Sequence, residues 1–218
     1  MTAEMEQRVE TAHALRRLIH AFAGRHSDVA AQRELAEIAN READRFEQGA
    51  PRDRMQIMRE LREEAEAQGK EFRLGEPGSS FEDRAVAGRA NPTSVDIDVE
   101  MPDDASDDIV ANVFFRKAFE GPPSRTHGGI VAAAFDDVTG FVIGRISEPA
   151  FTGELTVRFL APVPIERPLV MKTRLVGRER RKLFITAEAY DGDAVIATCK
   201  ATYIKVDPSK FAGAPDPR

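Results

Sequence analysis

Between Gly121 and Gly140, a turn, a His-Gly-Gly triplet and a long apolar segment follow one another. The Gly-Pro-Pro sequence at the start of this stretch ends whatever element precedes it. Beyond the triplet, apolar residues recur at helical spacing and predict one buried helix. These residues are Ile130, Val131, Ala134, Phe135, Val138, Phe141 and Val142.

The second face of the predicted helix carries small or apolar residues instead of charged ones, namely Ala132, Ala133, Gly140 and Ile143. Neighbouring elements can approach such a helix from both sides, so we predict that it is packed all round. Asp136 lies in the middle of this face. A carboxylate costs free energy to bury, and carboxylates in such places cluster at functional sites. Asp136 is therefore the leading candidate for a catalytic carboxylate.

The start of the helix is a second candidate. The first N–H groups of a helix have no partner within it, and the helix dipole favours negative charge beside them. Gly128 and Gly129 have no side chains, so a ligand can approach the backbone there. Gly128 and Asp136 are separated by roughly 12 Å along one helix, whereas two groups acting on one carbonyl must each lie about 3 Å from it. If both act, we predict a two-fold dimer in which Gly128 of one chain faces Asp136 of the other.

The triplet His127-Gly128-Gly129 with Asp136 seven residues after its last glycine resembles the hotdog-fold acyl-CoA thioesterases of the phenylacetyl-CoA and 4-hydroxybenzoyl-CoA thioesterase superfamily. The resemblance covers roughly residues 85–206. Upstream, the sequence Ala-Gly-Arg-Ala-Asn-Pro that begins at Ala87 looks like the lead-in to the first strand of that family. Downstream, Thr152 stands where family members often place a polar strand residue that lines the site.

The resemblance implies an α+β hotdog fold, in which an antiparallel sheet wraps around one long central helix. It also implies hydrolysis of acyl-CoA thioesters, with coenzyme A as part of the substrate. The Gly128 N–H would stabilise the oxyanion, and Asp136 of the facing chain would act as general base or as nucleophile; both routes stay open. Thr152 would hold the water or the carboxylate, His127 would fix the turn, and Gly129 would allow the ligand to approach.

The domain organisation follows from shifts in composition and period. We predict a helical N-terminal extension over 1–70, a linker over 71–84, the hotdog domain over 85–206 and a C-terminal tail over 207–218. The linker prediction rests on the Gly-Glu-Pro-Gly-Ser-Ser sequence that begins at Gly75.

Three charged helices with narrow apolar stripes are predicted for the extension. Asp28 can cap the second helix, and Pro51 suits the first turn of the third. Narrow stripes need a partner surface, so we expect the extension to pack on the main domain or on its dimer mate. A docking module for another protein is the alternative. The stripe of the first helix contains Leu15, Leu18, Ile19 and Phe22.

From residue 93 the apolar period changes to two, as in a half-exposed strand. A polar loop over 103–108 and a second strand over 109–119 follow. After the central helix, four further strands are predicted to form a meander. They cover 150–160, 167–178, 181–191 and 194–206.

Composition excludes several classes of function. The net charge of −6 opposes general binding to nucleic acid or to anionic membranes. The single cysteine rules out an internal disulfide framework and fits a reducing compartment. The polar N-terminus does not resemble a signal peptide, no stretch approaches ~20 apolar residues, and no Cys/His cluster has zinc spacing. We expect a cytoplasmic protein, a homodimer or dimer of dimers, with no metal or redox cofactor.

A basic cluster, comprising Arg178, Arg180, Arg181 and Lys182, lies at a predicted hairpin turn. Guanidinium groups match the geometry of phosphates, so this basic hairpin is a candidate contact for the phosphates of coenzyme A. An ordinary charged turn is the alternative.

Two nearby residues receive structural interpretations. Cys199 is flanked by alanines on one strand face and is predicted to be a small core residue rather than a nucleophile. Asp137 points about 100° away from Asp136 on a helix, and a structural hydrogen bond is its predicted use.

Two other functions stay open. A hotdog acyl-CoA hydratase or dehydratase usually needs a different Asp/His pairing, and no second histidine lies near the strands. The four histidines are His13, His20, His26 and His127. A non-catalytic acyl-CoA binder would keep the fold and the tunnel without the reaction.

Overall fold

Six antiparallel strands and one long helix form the main body of the protein. The computed structural model describes residues 3–67, 69, 82–100 and 108–207, so the predicted linker around Gly75 and most of the predicted polar loop lie outside the described residues. The strands are β1 (Asp96–Glu100), β2 (Ile109–Phe114), β3 (Ala150–Phe159), β4 (Pro168–Glu179), β5 (Lys182–Asp191) and β6 (Ala194–Lys205).

The strand order in the sheet is β1-β2-β4-β5-β6-β3, and every neighbouring pair is antiparallel. The predicted meander is therefore correct for β4 to β6 but wrong for β3, which pairs with β6 at the opposite edge from β1. The predicted strand over 109–119 is too long: β2 ends at Phe114, and a short 3-10 helix, Lys117–Phe119, follows.

The predicted central helix is confirmed: it is the helix Gly128–Arg145, which packs against strands β2 to β6. Its core-facing residues include Val131, Phe135 and Val138, each fully buried. Burial of the large apolar side chains of the helix and the sheet is the main source of the folding free energy. Each fully buried side chain contributes about 1.5–3 kcal/mol. The α+β hotdog architecture, a sheet wrapped around one helix, is thereby confirmed.

The prediction that this helix is packed all round is wrong for the single chain. Four residues of the small face are only half-buried: Ala132, Ala133, Asp136 and Gly140.

The N-terminal region contains the helices α1 (Ala3–Gly24), α2 (Val29–Glu47) and α3 (Arg54–Ala67). The central helix Gly128–Arg145 is therefore α4. Asp28 caps α2 as predicted, because its side chain accepts a hydrogen bond from the Ala31 N–H at 2.8 Å. Pro51 precedes α3 instead of lying in its first turn, and Asp53 accepts from the Gln56 N–H there. In the described part of the chain, no helix is both long and apolar enough to cross a membrane.

The face of α1 that packs on the main domain is not its apolar stripe. The buried residues are Ala12, Arg16 and His20, one turn apart, whereas Leu15 and Phe22 are 45% and 58% exposed. The Arg16 guanidinium donates to the carbonyl oxygens of three residues between 88 and 91 and pairs with Asp96 at 3.3 Å. Helix α1 is thus held by polar contacts with partners more than 70 residues away.

His20 forms the end of this contact. Its Nδ1 accepts a hydrogen bond from the Ala118 N–H at 3.1 Å, and its ring lies edge-on to Phe119 with 5.0 Å between centroids. Burial, together with the nearby positive charges of Arg116 and Arg16, lowers the pKa of His20 against the opposing effects of Asp96 and Glu166. A protonated ring cannot accept the bond from Ala118.

Acidification is therefore expected to loosen α1. Because the pKa of His20 is lower when α1 is docked than the ordinary value of 6.5, docking is fully supported above that value and weakens as the pH falls through the lowered pKa. Hydrogen exchange of the α1 amides, corrected for intrinsic rates, should show loss of protection at about pH 5 relative to neutral pH.

Two variants control this experiment. His20→Gln keeps a side-chain acceptor that does not titrate, so its α1 protection should no longer depend on pH. The exposed His13, on the same helix, provides the matched control, and His13→Gln should behave as wild type. Equal protection of wild-type α1 at both pH values would contradict the prediction.

Candidate active site

The carboxylate of Asp136 is held from the sheet. Thr152 Oγ1, on β3, donates a hydrogen bond to Asp136 Oδ1 at 2.8 Å. Across the described residues, Asp136 Oδ2 has no hydrogen-bond partner. The structure therefore brings two of the predicted site residues together and leaves one carboxylate oxygen available to a water molecule or a substrate.

A β-bulge directly follows Thr152. Thr152 lies opposite Tyr203, but Glu154 lies opposite Thr202, so Gly153 is the extra residue. A side chain at Gly153 would place its Cβ 2.8 Å from Cγ1 of Ile204, which only a glycine avoids. Bulges re-aim neighbouring side chains and are frequent beside active sites, so this one accounts for how an edge-strand threonine reaches the helix.

The start of α4 is built by His127. As the N-cap residue, its Nδ1 accepts a hydrogen bond from the Gly129 N–H at 3.1 Å, and its own N–H donates to the Phe119 carbonyl at 2.8 Å. These bonds fix the turn, which is the role predicted for His127. They also occupy the Gly129 N–H.

The Gly128 N–H, by contrast, makes no hydrogen bond to any described residue. It lies at the positive end of the α4 dipole, where a developing negative charge is stabilised. The Phe159 ring lies beside this glycine, because a Cβ on Gly128 would come within 3.4 Å of it. Phe159 was not predicted as a site residue; it is 48% exposed, and an exposed aromatic residue at the end of an edge strand was its only signal.

The structure does not bring Gly128 and Asp136 of one chain together. Both belong to α4, and eight residues of helix separate them by roughly 12 Å. One chain therefore cannot bring both groups to the same carbonyl.

Asp137 has the structural hydrogen bond predicted for it. Its Oδ2 accepts from the Ala87 N–H at 2.7 Å, and its Oδ1 lies 4.0 Å from the Arg84 guanidinium. Burial raises the pKa of Asp137, while Arg84 and the Ala87 N–H act in the opposite direction. Asp137 thus ties the segment before β1 to α4 and points away from Thr152.

Cys199 is a core residue, as predicted. It is 1% exposed, and burial followed by the negative charge of Asp136 raises the pKa of its thiol to about 12. The thiolate required of a nucleophile is therefore disfavoured. Among the described residues, no group of three or more potential ligands is arranged to hold a metal ion.

The basic hairpin lies at the C-terminal end of α4. Arg178 forms an ion pair with Glu148, just beyond that end, and Arg181 donates to the Lys205 carbonyl at 3.0 Å. Arg180 and Lys182 are exposed and make no ion pair with another described residue. Arg180 adopts a positive φ of 50° at the turn. Two of the four basic residues thus hold the hairpin, and the other two face solvent.

Comparison with known proteins agrees with this geometry. Residues 124–198 match the family model described as Thioesterase superfamily. The chain is 34% identical over 94 residues to acyl-coenzyme A thioesterase THEM4 of Mus musculus. The aligned segment covers 42% of this chain and 40% of that protein. The chain is also 34% identical over 86 residues to acyl-coenzyme A thioesterase THEM5 of Homo sapiens, covering 38% and 34%. The matched segment thus spans about two fifths or less of these relatives.

The fold comparison reaches further along the chain. A crystal structure described as a thioesterase superfamily protein superimposes with a TM-score of 0.72 and 21% identity, covering 90% of this chain and 94% of that one. The fold is therefore shared over nearly the whole length. Residues 124–198 are therefore similar to the thioesterase superfamily, and nearly the whole chain shares the fold of a structure described by that name.

Proposed function

We propose that this protein hydrolyses acyl-CoA thioesters to the free acid and coenzyme A, at two sites shared between the chains of a homodimer. The observation that carries the proposal is the geometry of α4. A carboxylate held by Thr152 and a Gly128 N–H that bonds to no described residue lie on one helix, too far apart to act on one carbonyl. The acyl-coenzyme A thioesterases among the matched relatives support the choice of thioester.

The edge of the sheet supports a second copy as the partner. Strand β3 lies at the edge, and Phe151, Phe159 and Leu160 on or beside it are 58%, 48% and 51% exposed. An unpaired edge with exposed apolar side chains favours association, and two-fold pairing of this edge is closed and limited to two chains. It would also place the half-buried small faces of the two α4 helices toward each other.

In such an antiparallel pair, the substrate carbonyl accepts a hydrogen bond from the Gly128 N–H of one chain. Asp136 of the other chain takes a proton from water as the water oxygen attacks the carbonyl carbon. The resulting oxyanion is stabilised by the Gly128 N–H and the helix dipole. When the oxyanion collapses, the C–S bond breaks and the coenzyme A thiolate leaves, to be protonated afterwards. Direct attack by Asp136 Oδ2 is the alternative route.

The basic hairpin is placed suitably for the phosphates of coenzyme A. It lies at the C-terminal end of α4, and this 18-residue helix is about 27 Å long. Antiparallel helices bring that end toward the partner's Gly128. The chain that supplies Asp136 would therefore also supply the hairpin. Arg180 and Lys182, which pair with no described acidic residue, would be its contacts to phosphate.

Removing these two charges is expected to weaken binding without slowing chemistry. Arg180→Ala with Lys182→Ala should raise KM for an acyl-CoA by about tenfold and change kcat little, the sign of lost uniform binding. Hydrolysis of the corresponding acyl-pantetheine thioester, which lacks the nucleotide, should be unchanged. Arg181→Ala serves as the structural comparison, because Arg181 bonds to the Lys205 carbonyl. Equal losses on both substrates would show that the hairpin has only a structural role.

Release of free thiol from a panel of acyl-CoAs tests the proposed function directly. The panel should contain short, long and aromatic acyl groups, and turnover of at least one of them with release of thiol is expected. Saturable binding without release would identify a non-catalytic acyl-CoA binder. Conversion of an enoyl-CoA without release of thiol would identify a hydratase. Either of these results would overturn the proposal.

A further inference from the structure

Tyr203 on β6 contacts the turn of α4 that carries Asp136. Its hydroxyl donates to the Asp136 carbonyl oxygen at 3.0 Å and lies 2.9 Å from Thr139 Oγ1. The side chain is buried, with 3% of its surface exposed. Gly140 lies next to this contact, since a Cβ there would lie 3.6 Å from the Tyr203 hydroxyl.

The same tyrosine is linked to the strand that carries Thr152. In the β3–β6 ladder, Tyr203 lies directly opposite Thr152, at the last pair before the bulge. One residue thus contacts both halves of the Asp136 site: the helix turn through its hydroxyl and β3 through the ladder. The Thr152–Asp136 bond of 2.8 Å depends on the distance between that turn and that strand.

The hydroxyl group of Tyr203, more than its ring, indicates a role beyond filling space. A ring alone would fill this space, but a buried phenolic O–H is costly unless it is hydrogen-bonded. Thr139 Oγ1 already donates within α4, at 2.8 Å from the Phe135 carbonyl. The Tyr203 O–H is therefore the group through which the sheet reaches the backbone of the Asp136 turn among the described contacts.

Burial raises the pKa of Tyr203 to about 12, against the lowering effect of the nearby Thr139 and Thr152 hydroxyls. The phenol consequently stays protonated and remains a donor at neutral pH. An acid–base role is not needed to account for it.

We infer that Tyr203 is a positioning residue for the proposed hydrolase, because its hydroxyl holds the Asp136 turn of α4 at the height where Thr152 binds the carboxylate. This inference rests on the proposed function. Tyr203 would connect the sheet to the reacting carboxylate, and it would affect the reaction only through Asp136.

Replacing the hydroxyl while keeping the ring tests the inference. Tyr203→Phe is expected to lower kcat for a turned-over acyl-CoA by about tenfold with KM unchanged, because a misplaced reacting group slows the chemical step more than it weakens binding. Tyr190→Phe is the matched control, since Tyr190 is the only other tyrosine and its hydroxyl bonds to Glu188 on β5. Its kcat and KM should equal those of wild type.

A double-mutant cycle with Thr152→Val separates positioning from general structure. If both residues act through the Asp136 carboxylate, the double variant should be about as slow as the slower single variant. Multiplicative losses would mean that the two act independently and would overturn the inference. So would wild-type kcat in Tyr203→Phe, or a loss confined to KM.

Two further outcomes have fixed meanings. If the wild-type protein releases no thiol from any acyl-CoA, the proposed function fails before the inference is tested on it, and the two failures are distinct. If Tyr203→Phe does not fold, Thr139→Val removes the hydroxyl that contacts Tyr203. A loss of kcat without a change of KM is expected there too, and unchanged kcat in a folded Thr139→Val protein would overturn the inference.

Discussion

Asp136→Asn is expected to lower kcat for acyl-CoA hydrolysis by about a hundredfold or more, the scale on which loss of a positioned base acts. The amide can still accept the hydrogen bond from Thr152, so the side chain should stay in place and the fold should survive. What is lost is the ability of the second oxygen to take a proton or to attack. Initial rates of thiol release, with circular dichroism of both proteins, measure the effect.

Asp137→Asn provides the matched control one residue away. Asp137 accepts from the Ala87 N–H and faces Arg84, so its replacement should affect stability and leave kcat within about threefold. A reversed result, with fast Asp136→Asn and slow Asp137→Asn, would show that the wrong carboxylate has been assigned to the reaction.

The elements of the hotdog domain were predictable because each is set by a local pattern. The apolar period of α4 extends over five turns, and buried residues alternate along most of β4 to β6. Alternation reveals which face of a strand is buried, but it does not identify the neighbouring strand. The position of β3 beside β6 was missed for that reason.

The docking of α1 was not predictable from its own sequence. Apolar periodicity indicated Leu15 and Phe22, but Arg16 and His20 are the residues that are buried. Their burial is compensated by Asp96 and by backbone groups more than 70 residues away, which no local pattern reveals. The apolar stripe is consequently left exposed on the single chain.

Among the candidate site residues, the sequence indicated the groups but not the contacts that hold them. Gly128 and Asp136 were found from their positions on the predicted helix, and His127 and Thr152 by resemblance to a family. Tyr203 was missed because its partner is a backbone carbonyl, which no sequence pattern marks. The alternation of Cys199, Ala201 and Tyr203 on one face of β6 indicated burial only.

Mixing two inactive variants is expected to restore activity if each site draws on two chains. Asp136→Asn lacks the base, and Gly128→Pro lacks the N–H that faces the oxyanion. Proline is compatible with the backbone at position 128. Gly128 is the first residue of α4, where proline is favoured. The preceding residue, His127, has the extended conformation (φ −61°, ψ 128°) that a following proline requires. Gly128→Ala, which keeps the N–H, is the matched control and should be more active than Gly128→Pro.

The expected recovery follows from counting sites. Each homodimer of a variant contains two broken sites. In a mixed dimer, both lesions fall in one site, and the other combines the intact Gly128 of one chain with the intact Asp136 of its partner. Random pairing of equal amounts makes half of the dimers mixed, so co-refolding should give about a quarter of wild-type activity. With folding of Gly128→Pro and formation of mixed dimers verified, a mixture as inactive as its components would rule out the shared site, because sites contained within single chains cannot complement one another.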